Sequence, residues 1–333
     1  MALIQYPLDK ALLVAAWLEA LVYGCLFVIF IATVYVNMTV ASKNIHNRVM
    51  FVVSVVMFII ATAHLAMNCF RLVRGFIDLR DEPGGPLAYL GVLKFWDHIF
   101  KDTLYATQSI LGDAVAVYRC WVLWKDWRVA VFPFLLLIAS AVSGYMVCGL
   151  YTVIDLSADV FDPRLTQWIT TFYSIAVAQN IITTGLMAFR LWQVDSRSSQ
   201  FRTRTQSSVF LPILRILVES AALYLFVEIL LLALYSVDYN AQYILLEIVT
   251  PIVGITFNAI TIRINMRSMD QRKGPSNVST LGSRGTGAHA LQTVGSVPMR
   301  RIVVGREVEI EEMHDDPNDA AIYGKDWQKS GAV

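Results

Sequence analysis

The chain has 333 residues, of which 56% are hydrophobic and only 16% charged. Soluble domains carry about a quarter charged residues, so the composition excludes a water-soluble globule of this size, and the mean hydropathy of +0.54 agrees. The net charge of +1 is uninformative, because charge sign counts loop by loop in a membrane protein; no nucleic-acid partner is expected.

The N-terminus does not read as a cleaved signal peptide. Its apolar stretch runs from Ala11 to about Thr39, well past the roughly 7–15 apolar residues of a signal sequence. It is expected to stay as the first span. A helix needs about 20 mostly apolar residues to cross the hydrocarbon core, and seven stretches qualify: 12–35, 49–70, 100–122, 129–151, 169–191, 211–235 and 243–264. The third is the most polar, diluted by Lys101, Asp102, Gln108 and Asp113. The expected fold is all-α, a seven-transmembrane-helix bundle over 1–267. From 268 to 333 the chain turns rich in Gly, Ser and Thr and then acidic, the composition of a disordered tail. Within it, Val303 to Ile310 alternates apolar and charged residues, which also suits strand addition to a partner's sheet.

Lys and Arg in short connections set the orientation. They gather in loop one (Lys43, Arg48), loop three (Lys125, Arg128), loop five (Arg197, Arg202, Arg204) and the start of the tail (Arg267, Arg272, Lys273). Loop six has none, loop four has Arg164 among three aspartates, and loop two is mixed. The N-terminus is therefore expected outside and the tail in the cytosol. The two N-x-[ST] sequons, at Asn37 and Asn277, then fall on the unglycosylated side. Tryptophans near span ends, including Trp96, Trp121, Trp127 and Trp192, suit interfacial anchoring.

Ionisable groups in a bilayer are costly and face the bundle interior or a wet cavity. By depth they sort into two layers. The outer layer holds Glu19, His64, Asn68, Glu228 and Glu247. If these converge, three carboxylates and a histidine favour a cationic or proton-linked ligand; if not, each is a local inter-helix hydrogen bond. The inner layer holds Asp113, Tyr118, Arg119, Glu219 and Asn258, candidates for a switch. Arg119 and Glu219 sit near the cytosolic end, where a salt bridge between spans three and six would hold a resting state; the alternative is that Arg119 snorkels to lipid phosphates. Pro251 and Gly254 should loosen span seven. Cys69 and Cys148 lie near the outer ends of spans two and four, either paired or as two lone thiols. The four cysteines show no CxxC spacing, so no structural metal is expected, and no cofactor.

The stretch Ser109 to Trp124, SILGDAVAVYRCWVLW, resembles the end of span three in a large, mostly uncharacterised group of seven-span integral membrane proteins from basidiomycete fungi. The matching positions are Gly112, Asp113, Tyr118, Arg119 and Trp124. That resemblance implies a fold and a membrane location rather than an activity. The layout is also similar to G-protein-coupled receptors, although the Asp-Arg-Tyr triplet and an NPxxY sequence are missing. Span seven has no lysine for a retinal Schiff base, and of five histidines only His64 lies within an expected span; both facts disfavour a rhodopsin or a seven-span zinc hydrolase.

These readings favour a receptor-like protein of the plasma membrane. It would sense a ligand from the outer face and engage a cytosolic signalling protein at loops three and five and the tail. The alternative is a proton-coupled carrier using buried carboxylates, although no internal repeat is visible. No nucleophile–base pair or metal motif stands out, so an enzyme is not expected.

Overall fold

The computed structural model of the chain describes residues 6–40, 45–154, 161–199 and 210–272. Among them there is no strand. The helices are α1 (Leu8–Val40), α2 (Ile45–Val73), the short α3 (Gly85–Leu90), α4 (Trp96–Trp124), α5 (Trp127–Val153), α6 (Pro163–Ser199), α7 (Phe210–Ser236) and α8 (Gln242–Arg272), with a π-helical turn, Arg74–Asp78, closing α2.

Six of these helices are long and apolar enough to cross a membrane, the exceptions being the short α3 and the polar α4. The side chains are sorted inside out. Leu13, Trp17, Leu21 and Val28 of α1 and Phe132, Leu135, Ile138 and Val142 of α5 are exposed, while Glu19, His64, Gln108, Asp113, Glu247 and Asn258 are buried. Water would favour the reverse; hydrocarbon favours this, because only backbone and side-chain polar groups satisfied inside the bundle avoid a desolvation cost. The chain is a multi-pass helical membrane protein.

The seven long helices close a ring in chain order: α1 on α2, α2 on α4, α4 on α5, and so on to α8, which packs along α1. Two members also reach across it. α4 touches α6 and α8, and α8 touches α2. A shared apolar core runs through α2 and α4–α8, with Met57, Tyr105, Phe172, Leu231, Val249 and Phe257 among its buried members. Close approach of α4 and α8 needs Gly112, where a Cβ would lie 2.7 Å from Val253 Cγ1.

Helix ends follow local chemistry. Lys125, in the left-handed region with φ 56°, stops α4, and its N–H returns to Trp121. Asp126 then caps α5 by accepting from the Arg128 N–H at 3.1 Å. Asp162 serves α6 similarly, accepting from the Arg164 N–H at 2.9 Å just ahead of Pro163, where proline's missing donor costs nothing.

Two expectations change. Loop two, expected between 70 and 100, is largely helical: α2 continues through Arg71, the π turn and α3 follow, and α4 begins at Trp96. The reason is that Arg71 and Asp97 are buried and bonded rather than solvated. Secondly, α8 runs to Arg272 rather than ending at 264, and passes through Pro251 without a break. Of the two readings for Cys69 and Cys148, the lone thiols hold: both are free, Cys69 exposed and Cys148 buried. The expected tail beyond 272, with the alternating segment 303–310, lies outside the described residues.

Candidate functional site

Buried charges concentrate at the end of the bundle that carries the start of α1. On α2, His64, Asn68 and Arg71 follow at helical spacing on one face. On α4, Asp97, His98, Lys101 and Asp102 do the same, with Glu19 of α1 and Glu247 of α8 facing them. His64 Nδ1 lies 2.6 Å from Glu19 Oε1, and His64 Nε2 lies 3.6 Å from Glu247 Oε2. Asn68 donates to Glu19 at 2.6 Å and to Glu247 at 3.3 Å. Lys101 pairs directly with Glu247 and lies 4.0 Å from Asp102.

A second branch reaches toward α3. Arg71 Nε is 3.4 Å from Asp97 Oδ2, and its guanidinium also donates to the Leu90 carbonyl at 3.2 Å and to His98 Nδ1. Because Arg71 can only donate, His98 Nδ1 accepts. His98 Nε2 then carries the hydrogen and faces Asp102 Oδ2 at 3.5 Å. Tyr89 of α3 donates to Asp97 at 2.5 Å. Burial and the neighbouring Asp97 push the Tyr89 hydroxyl up to about 12, so it stays a donor. The result is two adjoining groups, one running from Tyr89 through Asp97 and Arg71 to His98 and one from Asp102 through Lys101, Glu247, His64 and Asn68 to Glu19, which meet where His98 Nε2 lies 3.5 Å from Asp102 Oδ2. Glu19, His64 and Glu247 also offer ligand atoms within 4.8 Å of one another, a spacing that suits a metal ion. Asn68 and Lys101 already hold those carboxylates, and an ion would have to displace them.

Beside this network lies a cavity of about 60 Å³, room for a few water molecules. Every one of the seven long helices lines it: Leu12, Arg71, Lys101, Tyr151, Phe172, Tyr235 and Gln242 come from α1, α2, α4, α5, α6, α7 and α8 in turn. Its polar wall is mostly donors. Arg71, Lys101 and Gln242 Nε2, which has no hydrogen-bond partner among the described residues, face it, with Asp102 as the acidic member. Its apolar wall is aromatic, with Tyr105, Tyr151, Phe172 and Tyr173. The expectation of a cationic ligand rested on Glu19, Glu228 and Glu247. None of the three lines this cavity, because Glu19 and Glu247 are turned into the network.

Nearer the other end, a second cavity of about 70 Å³ lies between α4, α6, α7 and α8, lined by Asp113, Arg119, Asn180, Tyr224 and Thr256. Glu228 belongs with this group: its Oε2 accepts from Asn180 at 3.2 Å, and Tyr224 and Asp113 are its neighbours.

The structure thus brings together Glu19, His64, Asn68 and Glu247 and places Glu228 apart from them. Depth along the helix had grouped Glu228 with the outer set, but the rotation of α7 turns it to α6. Among the inner residues, Arg119 does not reach toward α7. It donates to Thr261 Oγ1 at 2.9 Å and to the Phe257 carbonyl at 3.4 Å, and stacks over the Phe257 ring at 4.8 Å. The expected bridge to Glu219 is replaced by this α8 contact, and Glu219 is exposed. Asn258 ties α2 to α8, accepting from Ser54 at 2.5 Å and donating to the Gly254 carbonyl. Tyr118 is half-buried against the core, its ring 6.1 Å from Trp121. Trp124 donates its indole N–H to the Leu186 carbonyl at 3.1 Å.

Arg71, Asp97, His98, Lys101, Asp102 and Gln242 are the site residues that sequence reasoning passed over. Arg71, Asp97, His98 and Gln242 fall just outside the expected spans, where charge reads as loop, and Lys101 and Asp102 read only as diluting the third span. The available signal was spacing: 64, 68 and 71 share one helix face, as do 97, 101, 105 and 108.

Compared with protein-family models, curated proteins and solved structures, the chain matches none.

Proposed function

We propose that the chain is a seven-span, receptor-like protein of the plasma membrane. On this reading the N-terminus is outside, the cavity at that end binds a small molecule, and the opposite face engages a cytosolic signalling protein. The observation that carries the reading is the cavity lined by all seven long helices. A ligand held there contacts every helix, so it biases their relative positions, which is what a signal across a bundle requires.

α4 serves as the seventh span. Its 29 residues extend about 43 Å at about 1.5 Å per residue. Its charges Asp97, Lys101 and Asp113 are buried among neighbouring helices instead of facing lipid. The basic connections after α4 and α6 and at the end of α8 support a cytosolic location for that face. The layout also fits the resemblance to the basidiomycete seven-span group, with Gly112, Asp113 and Arg119 at the inner cavity.

The ligand is a small molecule with an acceptor end and a flat apolar body. Arg71, Lys101 and Gln242 Nε2 supply donors, and the tyrosines and Phe172 supply the aromatic wall. The buried carboxylates also favour a second reading, a proton-coupled carrier in which they act as relays.

One experiment separates the two. The chain in lipid nanodiscs is melted against aromatic carboxylates, amides and amines built on one skeleton. Carboxylates and amides should stabilise it, by about 2.7 kcal/mol at a hundredfold excess over Kd, and amines should not; Gln242→Leu should reduce the effect. Uptake of the same solutes into proteoliposomes, lost in Glu228→Gln, would overturn the receptor reading in favour of the carrier.

A further inference from the structure

The N-terminal cavity is walled by the seven long helices, and among the described residues one further segment contributes to it. Leu90, the last residue of α3, and Gly91 and Leu93 of the turn that follows line it from outside those helices. The chain leaves α2 through the π turn, brings α3 against α1, and returns to α4. α3 thus lies across the end of the ring. Its attachment there is small. Of its six residues only Tyr89 and Leu90 are buried. Tyr89 donates to Asp97 at 2.5 Å, and the Arg74 guanidinium lies 5.3 Å above its ring. The Leu90 carbonyl accepts from Arg71 at 3.2 Å, and its side chain seats on Gly75 of the π turn, where a Cβ would lie 2.9 Å from Leu90 Cγ.

Both ends of α3 carry glycine. Gly84 and Gly85 have φ of 95° and 62°, left-handed values that glycine takes at little cost, and Gly91 follows the last turn. A short helix between such joints can swing as a unit, since a few terminal residues absorb the change in backbone angles. Arg71 adds a link to the cavity. The guanidinium that holds the Leu90 carbonyl also lines the cavity, so a ligand acceptor drawing on Arg71 competes with α3 for it.

We infer that α3 is the gate of this cavity: it swings out about Gly84–Gly85 and Gly91 when Tyr89 leaves Asp97, and solutes from the aqueous side pass through the gap. An element with so few buried contacts opens at low cost while the core stays folded, so the bundle need not loosen to admit a solute. Because an acceptor that takes Arg71 weakens the closed state, binding and gate position are linked. This role rests on the cavity being a ligand site, whatever the ligand.

The cavity carries its own reporter, the free thiol of Cys148. The full chain in nanodiscs is treated with 2-sulfonatoethyl methanethiosulfonate, a charged reagent that stays out of hydrocarbon, and each cysteine is followed by mass spectrometry. No ligand is used, so the outcome is separate from that of the ligand melts. Tyr89→Phe keeps the ring in its seat and should raise the Cys148 rate about tenfold, the factor that one lost hydrogen bond to a carboxylate gives. Cys120, buried in a separate cluster with Met187, should keep its rate. Gly75→Cys with Leu90→Cys places two thiols close enough to bridge; oxidised, this variant should protect Cys148, and reduction should restore labelling. Equal Cys148 rates in the wild type, Tyr89→Phe and the oxidised bridge, whether all fast or all slow, would overturn the proposal. So would a rise at Cys120 in step with Cys148, which would assign the effect to loosening of the whole bundle.

Discussion

Lys101 and Glu247 show how much a single side chain can carry in this bundle. Both are buried, and each is the other's closest opposite charge. Removing one partner of such a pair strands the other, which costs about 3–5 kcal/mol. Lys101→Met should therefore lower the melting point sharply, and Lys101→Met with Glu247→Gln should recover most of the loss; thermal melts in detergent check both. Tyr89 makes a subtler prediction. Its hydroxyl donates to Asp97, and Tyr89→Phe should cost about 1–2 kcal/mol. Burial and Asp97 push its ionisation from 10 up to about 12. A raised folded-state value keeps its stabilisation below the ordinary value and loses it as pH climbs toward the folded one. Wild-type stability should thus fall between about pH 10 and 12, and alkaline melts of Tyr89→Phe should fall less. At this scale the sequence was partly readable. Glu19, His64, Asn68 and Glu247 stood out because a charge or amide inside an apolar run demands a partner. Which partner each one takes was not readable, because that depends on how each helix is rotated. Glu228 illustrates this: its depth was clear, and its bond to Asn180 was not.

Among the elements, α4 is the one on which most of the account turns. Its polar residues fall in one stripe, 97, 101, 105, 108, 109 and 113, which faces α2, α6 and α8. The stripe reads as solvent-facing in sequence and is turned inward in the structure, since Asp97, Lys101, Gln108, Ser109 and Asp113 are all buried. Hydropathy alone therefore underrates this helix. It also cut short the neighbouring ones, since α2 and α4 extend past their apolar stretches to place Arg71 and Asp97. The α4–α8 seam yields a direct prediction. A Cβ at Gly112 would meet Val253 Cγ1 at 2.7 Å, and Val253 is itself enclosed. Gly112→Ala should destabilise by about 1–3 kcal/mol through overpacking. Adding Val253→Ala should return part of that loss, which a double-mutant cycle measures.

For the whole molecule, the sequential ring of seven long helices follows from short connections and from apolar outer faces, both visible in the sequence. The lining of the N-terminal cavity alternates between early positions on α1, α4, α6 and α8 and late positions on α2, α5 and α7, as an up-and-down ring requires. What composition hides is whether α4, which is not apolar enough by itself, crosses the bilayer. The answer fixes the sidedness of everything after it, including the cytosolic face proposed for signalling. An odd number of crossings puts the two termini on opposite sides of the membrane, and an even number puts them on the same side. The most direct measurement is therefore a pair of small protease-cleavable tags, one at each end of the chain, tested on intact and on permeabilised cells. Seven spans with the N-terminus outside predict that the N-terminal tag is cleaved on intact cells and the C-terminal tag only after permeabilisation. Cleavage of both tags under the same condition would contradict α4 as a span, and with it the proposed receptor topology.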